Sequence, residues 1–250
     1  VSRFIVLCGP SCIGKGPLFS ALRRFYPELT QRLKPLVLFN DRDPRPGEED
    51  GVDYHFRPRT EIERLGERSD FVVVDVRGDL QALEIESIQH IMDEGFDAFF
   101  EGNPFVPARL REAGVFERFD TLSVFLSPLS REEILHLKAP ERRVNLGKFV
   151  TDIQRRKLLH RTKRQKVILS LKDLENIETR AVSAFREMRE GWTCDHVIPV
   201  YDGEGNDNWD AFYYPIGSAR NALETFAALL RGESPEGIEK WEESLIEDAS

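Results

Sequence analysis

Cysteine is scarce in this chain: Cys8, Cys12 and Cys194 are the only three among 250 residues. They are widely spaced, so they form neither an even disulfide framework nor a metal-ligand pattern, and a reducing compartment is expected. No apolar run approaches the roughly 18 residues of a membrane-spanning helix. A strand-like segment opens the chain in place of a signal-peptide layout, so the expected location is cytoplasmic. His55, His90, His136, His160 and His196 share no ligand spacing and read as structural or surface residues. Ser11 has no paired base, which argues against nucleophilic chemistry. Positive charge is in deficit: the net charge is −9, so the whole surface suits polyanions poorly and any anion site must be a local basic cluster. No internal repeat is visible.

What is present reads as an α/β chain. Hydrophobic content of 40% is ordinary, and the length suits one large domain or a core with inserted lobes. Short apolar runs at Arg3–Cys8, 36–39, Phe71–Val76, 97–100, 122–126 and 196–200 predict buried strands. Helical spacing is seen over Lys15–Phe25, 80–94, Leu171–Arg189 and 218–230. In the second of these it rests on Leu80, Leu83, Ile88, Ile91 and Met92. Strands alternating with helices predict a parallel sheet flanked by helices. Residues 41–56 are dense in proline, glycine and charge and predict an irregular lobe. Residues 132–172 predict a helical, solvent-exposed insertion. The tail from Gly232 is acidic through Asp248, with Trp241 and Leu245 spaced to pin a helix to the body.

Two motifs carry chemistry. The first is Gly9-Pro10-Ser11-Cys12-Ile13-Gly14-Lys15-Gly16-Pro17-Leu18, between a strand and a helix. It approaches the phosphate loop G-x-x-x-x-G-K followed by Ser or Thr. Glycines let main-chain N–H groups wrap an anion, the helix N-terminus adds partial positive charge, and Lys15 would reach the β- and γ-phosphates. Gly16 stands where a hydroxyl normally meets Mg²⁺. Pro17 is tolerable in a first helical turn.

The second is Arg42-Asp43-Pro44-Arg45-Pro46-Gly47-Glu48-Glu49-Asp50-Gly51-Val52-Asp53-Tyr54-His55-Phe56. Arg42 and Arg45 on a proline-stiffened loop can grip one phosphate with guanidinium forks. Glu48 can hold an arginine in place, and Tyr54 offers a hydroxyl.

Together these residues resemble the guanylate kinase family. Its forms are G-P-S-G-x-G-K, then Ser or Thr, and R-x-P-R-x-G-E-x-x-G-x-x-Y-x-F. The second is met at Arg42, Pro44, Arg45, Gly47, Glu48, Gly51, Tyr54 and Phe56. The resemblance is clear over residues 1–60 and weaker to about 126 and near 177–188. It implies a P-loop kinase core (1–35, 95–130, 190–232), an acceptor-binding lobe (36–94), a basic helical lid (131–189) and an acidic tail (233–250). It implies ATP with Mg²⁺ as donor and a nucleoside monophosphate as acceptor. Lys15 would bind the donor; Arg42, Arg45 and Tyr54 the acceptor phosphate; Arg180, with Arg142 and Arg143 of the lid, would neutralise charge on the transferring group. The base-reading half of the family's acceptor site is rewritten: Leu38-Phe39-Asn40-Asp41 precedes the first arginine, and Asp79-Leu80-Gln81-Ala82-Leu83-Glu84 replaces a Tyr-Gly-Thr segment. That leaves GMP, dGMP or a non-guanine nucleotide open. Glu101 is placed to contact the acceptor, to orient Mg²⁺-bound water, or to act as a plain surface residue; Asp75 is a second carboxylate for water-mediated metal contact.

Residues 155–166 are strongly basic and have three readings: a lid over the triphosphate, a nucleic-acid surface, or a solvated face paired with acidic neighbours. No aromatic is interleaved, which weakens base stacking. Alternatives to the nucleotide kinase are a non-catalytic phospho-ligand-binding domain of the same fold, and a kinase of another phosphorylated small molecule or a nucleic-acid end.

Overall fold

The run Phe4-Ile5-Val6-Leu7-Cys8 forms strand β1 with every side chain buried, as a strand covered on both faces requires. The computed structural model describes residues 2–45 and 47–246. Pro46 of the second motif and the tail's Glu247 and Asp248 lie outside the described residues. After β1 (Phe4–Cys8) come α1 (Lys15–Phe25), α2 (Pro27–Thr30), β2 (Leu33–Pro35), β3 (Leu38–Asn40) and β4 (Tyr54–Phe56). Then follow α3 (Arg59–Leu65), β5 (Phe71–Val76), β6 (Asp79–Glu84), α4 (Ile85–Asp93), β7 (Asp97–Gly102) and α5 (Phe105–Glu112). The rest comprises β8 (Thr121–Ser127), α6 (Arg131–Lys138), α7 (Leu146–Gln165), α8 (Leu171–Arg189), β9 (His196–Pro199) and α9 (Gly217–Leu230).

One sheet has the strand order β2-β7-β1-β8-β9. β2 pairs in parallel with β7, and β8 with β9. The expected parallel sheet flanked by helices is therefore present. A second sheet, ordered β4-β3-β6-β5, is mixed: β3 runs parallel to β4 but antiparallel to β6, which pairs antiparallel with β5. The helix expected over 80–94 is two elements, β6 and α4. Leu80, Ala82 and Leu83 are all buried, because β6 is paired on both sides and covered on both faces. Strict alternation is lost, and Leu80 and Leu83 mimic a helical spacing. Of the strand expected over 36–39, only Leu38 and Phe39 are in one, β3; residues 36 and 37 link it to β2 of the other sheet, which ends at Pro35.

The chain divides into two compact units, Val1–Val6 with Arg32–Leu122, and Leu7–Gln31 with Ser123–Ser250. In the first, Ile62 of α3 packs with Phe71, Leu80 and Ala82 against one face of the mixed sheet. In the second, α7 is not the exposed helix expected there. Its Leu158 joins Ile177 and Ala181 of α8 around the buried Cys12. α6 and α8 open on capping boxes, Ser130 with Glu133 and Ser170 with Asp173. Trp241 and Leu245 are buried as anchors, but the segment holding them is extended and ends in a short 3₁₀ turn at Glu243–Leu245, not an α-helix. Among the described residues no helix is long and apolar enough to cross a membrane.

Candidate active site

The first motif leaves β1 and enters α1 at Lys15. A Cβ at Gly9 would lie 2.6 Å from the Leu126 carbonyl oxygen, and one at Gly14 2.9 Å from that of Asp202. No side chain fits at either point, so the loop backbone turns closely past both strands' ends. Pro10 and Ser11 follow, Ile13 is fully buried, and Pro17 sits in the first turn of α1. Lys15 is only 9% exposed. Its Nζ donates to the carbonyl oxygens of Gly9 at 2.8 Å and Pro10 at 3.0 Å, which fastens the ammonium across the loop mouth. Cys12 adopts φ 65°, the left-handed region, where the family form has glycine. That backbone costs about 1–2 kcal/mol, offset by packing the thiol against Leu158, Ile177 and Ala181. Burial pushes the Cys12 thiol up to about 11, so it stays neutral. A Cβ at Gly16 meets no heavy atom within 4 Å. The missing hydroxyl is therefore not excluded by space.

Arg180 of α8 reaches this loop: its Nη1 lies 3.5 Å from Ser11 Oγ. Arg142 ends a short 3₁₀ turn and Arg143 follows at φ 53°. Both are exposed, and neither enters an ion pair among the described residues. Of the lid arginines named from sequence, the structure brings Arg180 alone to the loop by a hydrogen bond among those residues.

The second motif forms a tight cluster in the other unit. Arg42 Nη1 and Nη2 each donate to one Glu48 oxygen at 2.6 Å, a bidentate pair. Glu48 also accepts from the Arg45 main-chain N–H at 2.8 Å, and the Arg45 guanidinium lies 3.9 Å away. The Arg42 guanidinium stands over the rings of Tyr54 at 5.1 Å and Phe56 at 5.4 Å. Burial alone would raise the Glu48 pKa; hydrogen bonds from Arg42 and Arg45 outweigh it and hold the carboxyl below its ordinary value. Burial pushes the Tyr54 hydroxyl up against the pull of Arg42 and Arg45, with Glu101 adding to the rise. Glu101 on β7 thus acts electrostatically on Tyr54. Asp75 is exposed, and its Oδ1 accepts from Gly78 N–H at 2.8 Å, closing the β5–β6 hairpin.

Sheet register adds residues that the motif reading missed. Asn40 lies opposite both Phe56 and Gln81, so alternation puts Asn40, Tyr54, Phe56, Asp79 and Gln81 on one face. Asn40 is buried and its Oδ1 accepts from Arg42 N–H at 3.1 Å. Asp79 has its carboxyl raised by burial and by Asp41, against the pull of Arg42, Arg77 and Arg45. The signal was hidden because the stretch holding Asp79 and Gln81 reads as helical.

The basic run on α7 is mostly spoken for. Arg155 pairs with Asp152 and Glu178, Arg161 with Glu204 at 2.6 Å, Arg164 with Asp207, and Lys166 with Asp173 at 2.6 Å. Among the described residues no group of three or more His, Cys, Asp or Glu side chains is placed to hold a metal ion. With Gly16 lacking a hydroxyl, the phosphate loop offers Mg²⁺ no ligand at that position.

The guanylate kinase family model matches residues 1–177, well over half of the chain. The chain belongs to the guanylate kinase family. The match takes in both motifs and the mixed sheet, and ends three positions before Arg180. Relatives include a guanylate kinase of a Synechococcus species, 35% identical over 133 residues, which are 53% of this chain and 58% of that one. Another, from Alkalilimnicola ehrlichii, is 35% identical over 130 residues, 52% of this chain and 60% of its own. The chain thus spans about three fifths of the length of these guanylate kinases. The crystal structure of guanylate kinase from Anaplasma phagocytophilum superposes with a TM-score of 0.54 at 16% identity, covering 93% of this chain and 86% of that one. That likeness establishes the guanylate kinase fold.

Proposed function

We propose that this guanylate kinase family member is an ATP-dependent nucleoside monophosphate kinase, passing the γ-phosphoryl of ATP to the phosphate of a nucleotide acceptor. The observation that carries this reading is the Arg42–Glu48–Arg45 cluster with Tyr54, a preformed phosphate grip, in the same chain as a glycine-framed loop with Lys15 at a helix start. Lys15 and the main-chain N–H groups of the loop, which Pro10 and Pro17 lack, hold the donor phosphates. Arg180 stabilises charge on the transferring group, with Arg142 and Arg143 joining when the lid closes. Positioning, rather than covalent chemistry, carries the rate. The core, acceptor lobe (36–94) and lid (131–189) divide these tasks. Mg²⁺ arrives with ATP on phosphate and water oxygens. The three free, buried thiols support a cytoplasmic setting.

The acceptor face carries Asn40, Asp79 and Gln81, and Glu101 acts on its Tyr54. This polar set differs from the family's guanine-reading residues, which favours testing all bases. ADP release is measured with ATP and a panel of ribo- and deoxynucleoside monophosphates. Turnover with one or a few acceptors supports the kinase. Turnover confined to sugar phosphates or oligonucleotides replaces the acceptor class, and none with any acceptor leaves a phospho-ligand-binding domain, which Gly16 would suit.

A further inference from the structure

Among the described residues, Arg155, Arg161, Arg164 and Lys166 of the basic run are paired to carboxylates and Arg156, Lys157, His160 and Lys163 are not; Arg156, Lys157 and His160 line one open cavity of about 250 Å³. Its far wall is Tyr201, Gly203, Glu204 and Asn206, just after β9. Spacings of three and four residues to His160 put the three side chains on one helix face. Arg156 is exposed and enters no ion pair among the described residues. Lys157 Nζ donates to the Val200 carbonyl at 3.2 Å, which satisfies a proton without cancelling charge. The nearby carboxylates are engaged elsewhere. Glu204 holds Arg161, and Asp202 accepts from Asn208 Nδ2 and Ala219 N–H, each at 2.9 Å. His160 Nε2 lies 3.3 Å from the Gly205 carbonyl oxygen. In a chain of net charge −9 this is a local surplus of positive charge. Burial pushes the Lys157 amine down to about 8, with Cys12 and Asp202 opposing, so an appreciable fraction is the free amine near that pH.

We propose that this cavity binds a phosphate monoester of a small planar molecule, using α7 and the segment after β9 instead of the phosphate loop or the arginine cluster. The Arg156 guanidinium and the His160 imidazole offer donors to the oxygens of a phosphate monoester, and the Lys157 amine lies beside them. The volume equals about eight waters at ~30 Å³ each, room for a phosphate and one ring system. The Tyr201 ring, 48% exposed, offers that ring a stacking face. The occupant would be felt by the phosphate loop, because Glu204 N–H donates to the Cys12 carbonyl at 3.2 Å. The proposal does not rest on the kinase reading: a chain without turnover would bind the same ligand.

Pyridoxal 5′-phosphate is a direct probe, carrying a phosphate, a planar ring and an aldehyde. Its carbonyl carbon condenses with Lys157 Nζ, water leaves, and borohydride supplies the hydride that fixes the imine as a secondary amine. At about pH 8, peptide mass mapping of the whole chain should find Lys157 the dominant labelled lysine. Phosphate-free pyridoxal should label it about tenfold less, and Arg156→Ala should slow labelling severalfold with unchanged circular dichroism. Inorganic phosphate should protect. Labelling spread over exposed lysines, equal labelling by pyridoxal, or no protection by phosphate would overturn the site. The Lys15→Met protein separates it from the donor pocket: retained Lys157 labelling supports a distinct site, and its loss in a folded Lys15→Met protein makes the cavity a limb of the donor pocket and defeats the proposal.

Discussion

Gly16 stands in the phosphate loop where the family form has Ser or Thr. A side chain there meets no heavy atom within 4 Å, and the position lies in the first turn of α1, so serine fits without strain. We expect Gly16→Ser to raise Mg²⁺-dependent turnover, read by titrating Mg²⁺ at fixed ATP; a fall would mean that the glycine has its own adapted geometry. Arg42 poses the opposite case. Lysine there keeps a charge but cannot make the two parallel bonds to Glu48, each 2.6 Å in the native pair. Arg42→Lys should raise the acceptor KM about tenfold or more, with a smaller change in kcat, because a grip on the acceptor is lost rather than the transferring group's stabilisation. An unchanged acceptor KM in steady-state kinetics would remove Arg42 from the acceptor site.

At the scale of elements, the start of α8 depends on one carboxylate. Asp173 accepts from Lys166 Nζ and from the N–H and hydroxyl of Ser170, and these contacts, Lys166 first, draw its pKa down to about 2. The folded value is below the unfolded one. Its stabilisation is therefore complete above the unfolded value, near pH 4, and drains away as pH falls toward 2. We expect Asp173→Asn to lower stability at neutral pH and to flatten the acid limb of the helical circular dichroism between about pH 4 and 2. β6 shows why element type was the hardest reading. Leu80, Ala82 and Leu83 are buried because neighbours cover both faces, and neither a period of two nor one of 3.6 survives that. α1 and α8, each with one apolar face, match the helical segments predicted at Lys15–Phe25 and Leu171–Arg189.

For the whole molecule, the segment after α9 acts as a strap within its unit. Trp241 is 2% exposed, its ring 6.0 Å from that of Phe125, and a Cβ at Gly191 would lie 2.9 Å from it. Glu239 bridges to Val197 of β9 and accepts from Trp241 Nε1 at 2.7 Å. Trp241→Ala should cost about 3–5 kcal/mol and lower Tm by roughly 6–20 °C. A scanning calorimetry shift of a degree or two would show the strap to be dispensable.

The phosphate loop and the arginine cluster were legible because they are written in ten and fifteen consecutive positions. Glycine, proline, arginine and glutamate there set turn geometry and short-range pairing, and chain connectivity alone keeps such partners near. Tertiary structure alone decided what distant residues do. It carried Arg180 to Ser11, 169 positions away, and formed the cavity between α7 and the segment after β9. These contacts depend on which faces are covered in the packed core. That is a property of the assembled chain, and no short stretch of residues encodes it.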